Sequence, residues 1–284
     1  MMKVASTAAA FMSLMVVVAL PALAQSNCQP LAPSETISVS NLKSGDTFND
    51  CTECPEMVVV PPGNFEMGDL SGGGLEREFP VHTVIISKPL AVGRFEITFA
   101  EWDACVDAGG CSFRPDDFNW GRGKRAVGDV SWNDVREYTV WLSCITGAQY
   151  RLPSEAEWEY IARAGTRTNY PWGEEIGSGN ALCLHCGDKF PQATPVGQFK
   201  ANNFGIFDTV GSVAEWVEDC LNNSYKGAPT DGSVWAEGNC YFRITRGGGW
   251  YGQAKFLTSS YRNYKTVEAR EDIRGFRVVR DLVR

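Results

Sequence analysis

Apolar residues recur at three- and four-residue spacing in only three stretches of the chain, and each stretch follows a residue that can cap a helix. Thr98 precedes the first stretch, Ser131 the second and Ser154 the third. A hydroxyl at such a position accepts a hydrogen bond from an unpaired N–H of the first turn. Glu157 follows Ser154 at the spacing of a capping box. The clearest apolar face is formed by Val135, Tyr138, Trp141, Leu142 and Ile145.

The remaining apolar segments are short and are separated by turn residues, a pattern typical of β-strands. Strand candidates lie at residues 57–60, 64–68, 81–86 and 90–97. After Gly165 the chain is mostly loops, with brief apolar segments at 194–199, 205–207, 241–245 and 275–279. Gly147 and Gly165 are expected to end the second and third helices. Few helices, many short strands and long ordered loops predict an irregular α+β domain.

The first residues have the pattern of a secretory signal. Lys3 supplies a positive charge, residues 8–20 form an apolar run, and Ala22 and Ala24 lie where a signal peptidase recognises small side chains. The run is shorter than the roughly 20 residues that a membrane-spanning helix needs. We therefore expect cleavage before Gln25 and a periplasmic or secreted protein. The predicted division is a signal peptide at 1–24, a cysteine-containing extension at 25–54 and a domain at 55–284.

All ten cysteines follow the predicted cleavage point, in a compartment where thiols oxidise. Disulfides are therefore the expected state. The loop closures that we favour are Cys105 to Cys111 and Cys220 to Cys240. Cys183 and Cys186 have a spacing that suits either a disulfide or zinc, with Cys51 and Cys54 as the other half of a zinc site. Export favours the disulfide for these pairs.

The charge of the chain argues against two classes of partner. The formal net charge is −8 at pH 7, and lysine and arginine form no cluster beyond isolated pairs. Nucleic acids and anionic membrane surfaces attract proteins with concentrated positive charge. We therefore expect neither as a partner.

The block at residues 151–160, Arg-Leu-Pro-Ser-Glu-Ala-Glu-Trp-Glu-Tyr, resembles the signature of the formylglycine-generating-enzyme and sulfatase-modifying-factor family. Further blocks occur in the family's order at 62–68, 130–132, 170–173, 210–216, 246–250 and 275–277. The resemblance implies a fold related to C-type-lectin domains. That fold appears in copper-dependent oxidases that form formylglycine, in iron-dependent sulfoxide-forming enzymes and in a periplasmic pyoverdine-maturation protein. The fold therefore does not identify the reaction.

The sequence departs from the metal sites of both enzyme branches. The oxidases hold copper with two cysteines in the segment after a Gly-Gly-Ser block, and a thiolate pair suits a soft cuprous ion. Here residues 248–257 read Gly-Gly-Trp-Tyr-Gly-Gln-Ala-Lys-Phe-Leu, and no cysteine follows Cys240. The iron branch uses a histidine cluster, whereas this chain has only His82 and His185. We expect neither copper nor iron.

The resemblance implies bound calcium as a structural element. One site would use the side chains of Asn180 and Asp188 with the carbonyls of Ala181 and Phe190. A second would use the side chain of Glu215 with the carbonyls of Val210, Gly211 and Val213. Several oxygen ligands are what this hard cation prefers. The alternative is that Asp188 caps a turn and Glu215 opens a helix.

The charged residues of the signature block have a structural interpretation. Glu155 and Glu159 share one helical face, and with Arg151 they could form a buried ion pair or line a pocket. The block occurs in relatives of very different chemistry. We therefore expect the ion pair.

The oxidases of the family keep their substrate cleft where this chain has Arg246, Trp250, Tyr251, Arg262 and Tyr264. An aromatic and arginine-rich groove suits a peptide, a protein segment or an anionic small molecule. The sequence favours two functions about equally: tailoring of a secreted molecule, and non-catalytic recognition by a lectin-like domain. Formylglycine formation ranks below both, and whether the protein is an enzyme stays open.

Overall fold

The computed structural model describes residues 39–184, 186 and 194–282. Three α-helices occur in these ranges: α1 at Phe99–Asp107, α2 at Trp132–Thr146 and α3 at Glu155–Arg163. Thr98, Ser131 and Ser154 are their N-caps, and all three form capping boxes. The prediction of three helices with these starts is confirmed. Gly147 ends α2 with φ 66°, whereas α3 ends at Ala164, one residue before the expected glycine.

Short strands form the rest of the regular structure in the described ranges. They are β1 Thr47–Phe48, β2 Met57–Val60, β3 Gly63–Met67, β4 His82–Ile86, β5 Leu90–Gly93, β6 Tyr150–Arg151, β7 Ala214–Leu221, β8 Asn239–Arg246, β9 Asn263–Thr266, β10 Arg274–Gly275 and β11 Val279–Asp281. One sheet has the order β1-β2-β5-β11-β6, a second has the order β10-β7-β8-β9, and β3 pairs with β4. The architecture is the predicted irregular α+β fold.

Two of the brief apolar segments after Gly165 lie in loops. Residues 194–199 and 205–207 are outside the strands, and only Pro195 forms an isolated bridge, with Arg125. Proline lacks the N–H that a sheet ladder needs, and Gly197 and Gly205 adopt φ values of 75° and 77°, outside the β region. The segment 90–97 ends as a strand at Gly93.

Strand β7 lies where the sequence pattern indicated only loops. It pairs with β8 antiparallel and with β10 parallel, so it occupies the interior of its sheet. Six of its eight residues are buried, and the side chains therefore show no alternation of apolar and polar positions. Glu215 lies in this strand and does not open a helix.

The largest apolar core lies between the first two helices and the sheets. Trp102 of α1 stacks on Tyr138 of α2 with ring centroids 5.7 Å apart, and Phe276 meets both rings edge-on. Trp216 of β7 belongs to the same buried cluster. The Gly-Phe-Arg block at 275–277 thus joins the two sheets through its aromatic ring.

The predicted disulfides are confirmed. Cys105 bonds to Cys111, Cys183 to Cys186 and Cys220 to Cys240, and a further disulfide joins Cys51 to Cys54. Among the described cysteines none is free. These pairings leave no thiolates for the zinc site that the two C-x2-C spacings allowed. No helix of the described part of the chain is long and apolar enough to cross a membrane.

Candidate functional site

A pocket lies at one end of the four-stranded sheet, and each strand contributes one residue to it. These residues are Arg274 of β10, Ala214 of β7, Thr245 of β8 and Asn263 of β9. They are neighbours in the sheet, because Arg274 pairs with Ala214 and Thr245 pairs with Asn263. The pocket has a volume of about 150 Å³. The other lining residues are Gly248, Gly249, Tyr251, Gly252, Phe256, Tyr261 and Ile273.

The turn after β8 forms one side of this pocket. Gly248 has φ 66°, and a Cβ atom there would lie 2.8 Å from the carbonyl oxygen of Phe256. A larger residue would therefore be strained and would collide with backbone. The turn places Tyr251 at the mouth of the pocket, where 63% of its surface is exposed.

Aromatic side chains continue from the pocket mouth across the surface. Trp250 lies 5.6 Å from the ring of Tyr251, Trp120 meets Trp250 edge-on at 5.2 Å, and Phe118 lies 5.4 Å from Trp120. We refer to Phe118, Trp120, Trp250 and Tyr251 as the aromatic row. Phe118 and Asn119 adopt φ values of 50° and 61° in the turn that carries Trp120, the residue of this loop that meets Trp250.

Arg274 is the charged residue of the pocket wall, and it is only 2% exposed. Its Nη1 donates to Thr245 Oγ1 at 3.1 Å, and its Nη2 donates to Glu271 Oε2 at 2.9 Å. Among the described residues, no acceptor meets its buried Nε–H. Burial lowers the pKa of Arg274, although the nearby carboxylate of Glu271 acts in the opposite direction. The sequence pattern did not single out this residue, which directly precedes the Gly-Phe-Arg block.

Two arginines that we expected in the cleft lie behind it instead. Arg246 and Arg262 are both fully buried. Arg262 donates from Nε and Nη2 to the two carboxylate oxygens of Glu155, at 2.6 and 2.7 Å, and Arg246 forms an ion pair with Glu159. Successive residues of a strand face opposite sides, so Thr245 faces the pocket while Arg246 faces α3.

The other three residues that we expected in the cleft lie in different places. Tyr251 lines the pocket, Trp250 lies beside it in the aromatic row, and Tyr264 packs on the α3 side with Trp158 and Ile244. The structure thus brings one of the five predicted cleft residues into the pocket wall. Phe256, Tyr261 and Arg274 complete the wall and were not singled out from the sequence.

The glutamates of the signature block form buried ion pairs, as expected, although with other partners. Glu159 Oε1 accepts from Arg163 Nε at 2.9 Å while Oε2 accepts from Arg246. Arg151 pairs with Glu157 at 2.6 Å. This network therefore supports the fold beneath the pocket and leaves no free carboxylate facing it.

The described residues of the two clusters predicted for calcium lie side by side. Leu182 bridges to Gly211, which brings the segment after Asn180 next to the segment 210–213. Asn180 and Val210 line a second pocket of about 240 Å³ together with Asp208. Burial raises the pKa of Asp208 to about 6. Among the described residues, no group of three or more acidic, histidine or cysteine side chains could hold a metal ion.

Glu215 does not fit the role of a calcium ligand. Arg277 donates to both of its oxygens, at 2.6 and 2.7 Å, and Trp158 Nε1 donates at 2.8 Å. The guanidinium supplies the positive charge that a cation would bring. In the other cluster, Asn180 Nδ2 donates to the carbonyl of Ile176 at 3.0 Å. Asp188, Phe190 and His185 lie outside the described residues.

Comparison with known proteins defines the family. The model of the sulfatase-modifying factor enzyme 1-like domain matches residues 43–282. The chain therefore belongs to the family of formylglycine-generating enzymes and sulfatase-modifying factors. The solved structure of PvdO from Pseudomonas aeruginosa is 39% identical with a TM-score of 0.78, and the match covers 84% of this chain and 99% of PvdO.

Two curated relatives carry different names within this family. The formylglycine-generating enzyme of Streptomyces coelicolor is 28% identical, over 75% of this chain and 82% of the enzyme. The inactive C-alpha-formylglycine-generating enzyme 2 of Bos taurus is also 28% identical, over 83% of this chain and 89% of that protein. Similarity of this degree does not distinguish an active from an inactive member.

We predict that Glu159→Gln lowers the free energy of unfolding by about 3 to 5 kcal/mol, because it leaves Arg246 and Arg163 buried without their shared countercharge. Arg114→Gln is the control, because its pairs with Asp103 and Asp107 are partly exposed, and we expect a change of about 1 kcal/mol or less. Urea unfolding measures both. Equal losses in the two variants would contradict a structural role for the buried network.

Proposed function

We propose that this protein is an exported member of its family. It binds a secreted peptide or small molecule in the pocket after β8 and tailors it there. The observation that supports the proposal is the pocket after β8, with Tyr251, Phe256 and Tyr261 as its aromatic wall and Arg274 as its buried cation. Aromatic surface and a guanidinium together suit a ligand with a planar group and a polar oxygen. The signal-like pattern at residues 1–24 supports export.

The chemistry of the pocket wall argues against formylglycine formation by the copper route. Two soft thiolates would have to reach a cuprous ion beside the substrate thiol. None of the residues that line the pocket is a cysteine, and every described cysteine is in a disulfide. The wall instead offers glycine backbone, hydroxyl groups, an amide and a guanidinium.

Non-catalytic recognition is the second candidate, and one observation favours it. The residues that line the pocket include no carboxylate, imidazole or thiol, which are the usual general bases and nucleophiles. Burial raises the pKa of Tyr261, although Arg77 acts in the opposite direction, and this disfavours the phenolate that a tyrosine base would need. A recognition domain would need only the aromatic surface and Arg274.

We predict that immobilised protein, purified from the exported fraction with its N-terminus near Gln25, retains a compound from concentrated culture medium of the source bacterium. The double variant Tyr251→Ala/Phe256→Ala should lose this compound, because both rings line the pocket. Tyr241→Ala is the matched control, since Tyr241 is also exposed but does not line the pocket. Mass spectrometry of the eluates identifies the compound.

The same experiment separates the two candidates. A change in mass of the retained compound on incubation indicates tailoring, and retention without change indicates recognition. Equal retention by the wild type and both variants, or no retention by any of them, would place ligand binding elsewhere and contradict the proposal.

We also predict that copper-loaded protein forms no aldehyde on a peptide that carries the Cys-x-Pro-x-Arg motif in the presence of oxygen. The physical reason is the lack of sulfur ligands in the pocket wall. Mass spectrometry of the peptide detects the loss of sulfur and gain of the aldehyde. Multiple turnovers, lost when one upstream cysteine is replaced, would show that the active site lies away from this pocket.

We propose, finally, that calcium stabilises the fold through the Asn180 and Asp188 cluster and not through Glu215. Free calcium at a hundredfold excess over its Kd would stabilise the native state by about 2.7 kcal/mol, so a chelator should lower the melting temperature. Asp188→Asn should abolish this response. Glu215→Gln should destabilise the protein equally with and without calcium, because it disrupts the pair with Arg277. A melting curve indifferent to chelator would exclude the site.

A further inference from the structure

The donors of Arg274 are incompletely used. A guanidinium has five N–H groups. Two hydrogen bonds, to Thr245 and to Glu271, are formed from Nη1 and Nη2. The Nε–H has no acceptor in the described part of the chain. A buried donor without a partner destabilises a protein. A ligand with two oxygens would offer this guanidinium the acceptors that the protein does not supply.

The charges around Arg274 also favour an anionic ligand, because cations outnumber carboxylates there. Glu271 is its carboxylate partner, but Lys265 Nζ also binds Glu271, at 2.6 Å. One carboxylate thus serves two cations. Arg77 and Glu78 act on Tyr261 with opposite charges. The imbalance at this wall therefore comes from Lys265 and Arg274, which share the carboxylate of Glu271, although the whole chain carries a formal charge of −8.

The apolar part of the pocket limits the rest of the ligand. Tyr251, Phe256 and Tyr261 line it, and the rings of Phe256 and Tyr261 lie 5.2 Å apart. The volume is about 150 Å³, and apolar protein cavities on the order of this size accept a single benzene ring. A planar six-membered ring therefore fits, and a larger ligand would continue over Tyr251 onto the aromatic row.

We propose that Arg274 determines the specificity of this pocket by binding a carboxylate, or an equivalent pair of anionic oxygens, on an aromatic group of the ligand. The inference rests on the proposed function of the pocket and adds the class of ligand. The planar guanidinium fork matches a carboxylate in two parallel hydrogen bonds, which a lysine ammonium does not reproduce. Arg274 lies in β10, so the sheet holds the fork in place.

The test uses benzoate as the probe and benzamide as its neutral counterpart of the same shape. Isothermal titration calorimetry on the full exported protein should give at least tenfold tighter binding of benzoate than of benzamide. Arg274→Gln should remove this preference and leave benzamide binding within about twofold of the wild type. Arg274→Lys should retain only part of the preference for benzoate, because it keeps the positive charge and loses the planar guanidinium.

Glu271→Gln separates recognition from a merely structural role. This variant removes the ion pair but keeps the guanidinium, so benzoate should bind as tightly as to the wild type or more tightly. Loss of benzoate binding in Glu271→Gln to the extent seen in Arg274→Gln would overturn the proposal, as would unchanged benzoate binding in Arg274→Gln. If Arg274→Gln does not fold, Arg274→Lys and Glu271→Gln decide the question.

Failure of this inference differs from failure of the proposed function. Wild-type protein that retains a compound from the medium but shows no preference for benzoate over benzamide would refute the assignment of Arg274 and leave the pocket as the binding site. Protein that retains nothing and binds neither probe would refute both.

Discussion

The buried ion pairs between α3 and the four-stranded sheet are the constraint on which the rest of the domain depends. Glu155 and Glu159 enter the interior from one face of α3. Arg246 meets them from the end of β8, and Arg262 from the residue before β9. All four side chains are buried. Charges in this environment are tolerated only when each has its partner in good geometry. The position of the helix relative to the sheet is therefore narrowly determined.

This interior network also shapes the pocket on the other side of the sheet. Arg246 donates from Nη1 to the carbonyls of Ser260 and Tyr261, at 2.6 and 2.8 Å, and from Nη2 to the carbonyl of Ser259 at 2.9 Å. One buried guanidinium thus binds both the helix and the segment that carries Tyr261 into the pocket wall. Family members can share the ion pairs and differ in the wall, because the two sets of side chains leave the strands on opposite faces.

The contrast between Glu215 and Arg274 illustrates how the same fold can treat charge in two ways. Glu215 receives two hydrogen bonds from Arg277 and one from Trp158, so its charge and its acceptors are satisfied within the protein. Arg274 shares its carboxylate with Lys265, and in the described part of the chain its buried Nε–H has no acceptor. Satisfied buried charges support a fold, whereas an unsatisfied one beside a pocket is suited to a ligand.

The family, the three helix starts and three disulfides could be predicted from the sequence, because caps, loops between cysteines and the signature block are local features. Only the tertiary structure revealed β7, whose buried position removes the alternation by which a strand is recognised. The tertiary structure also showed that Arg246 does not line the cleft, because Arg246 and Thr245 are neighbours in the chain but face opposite sides of β8. The pocket joins four strands, and their pairing depends on contacts between residues far apart in the sequence.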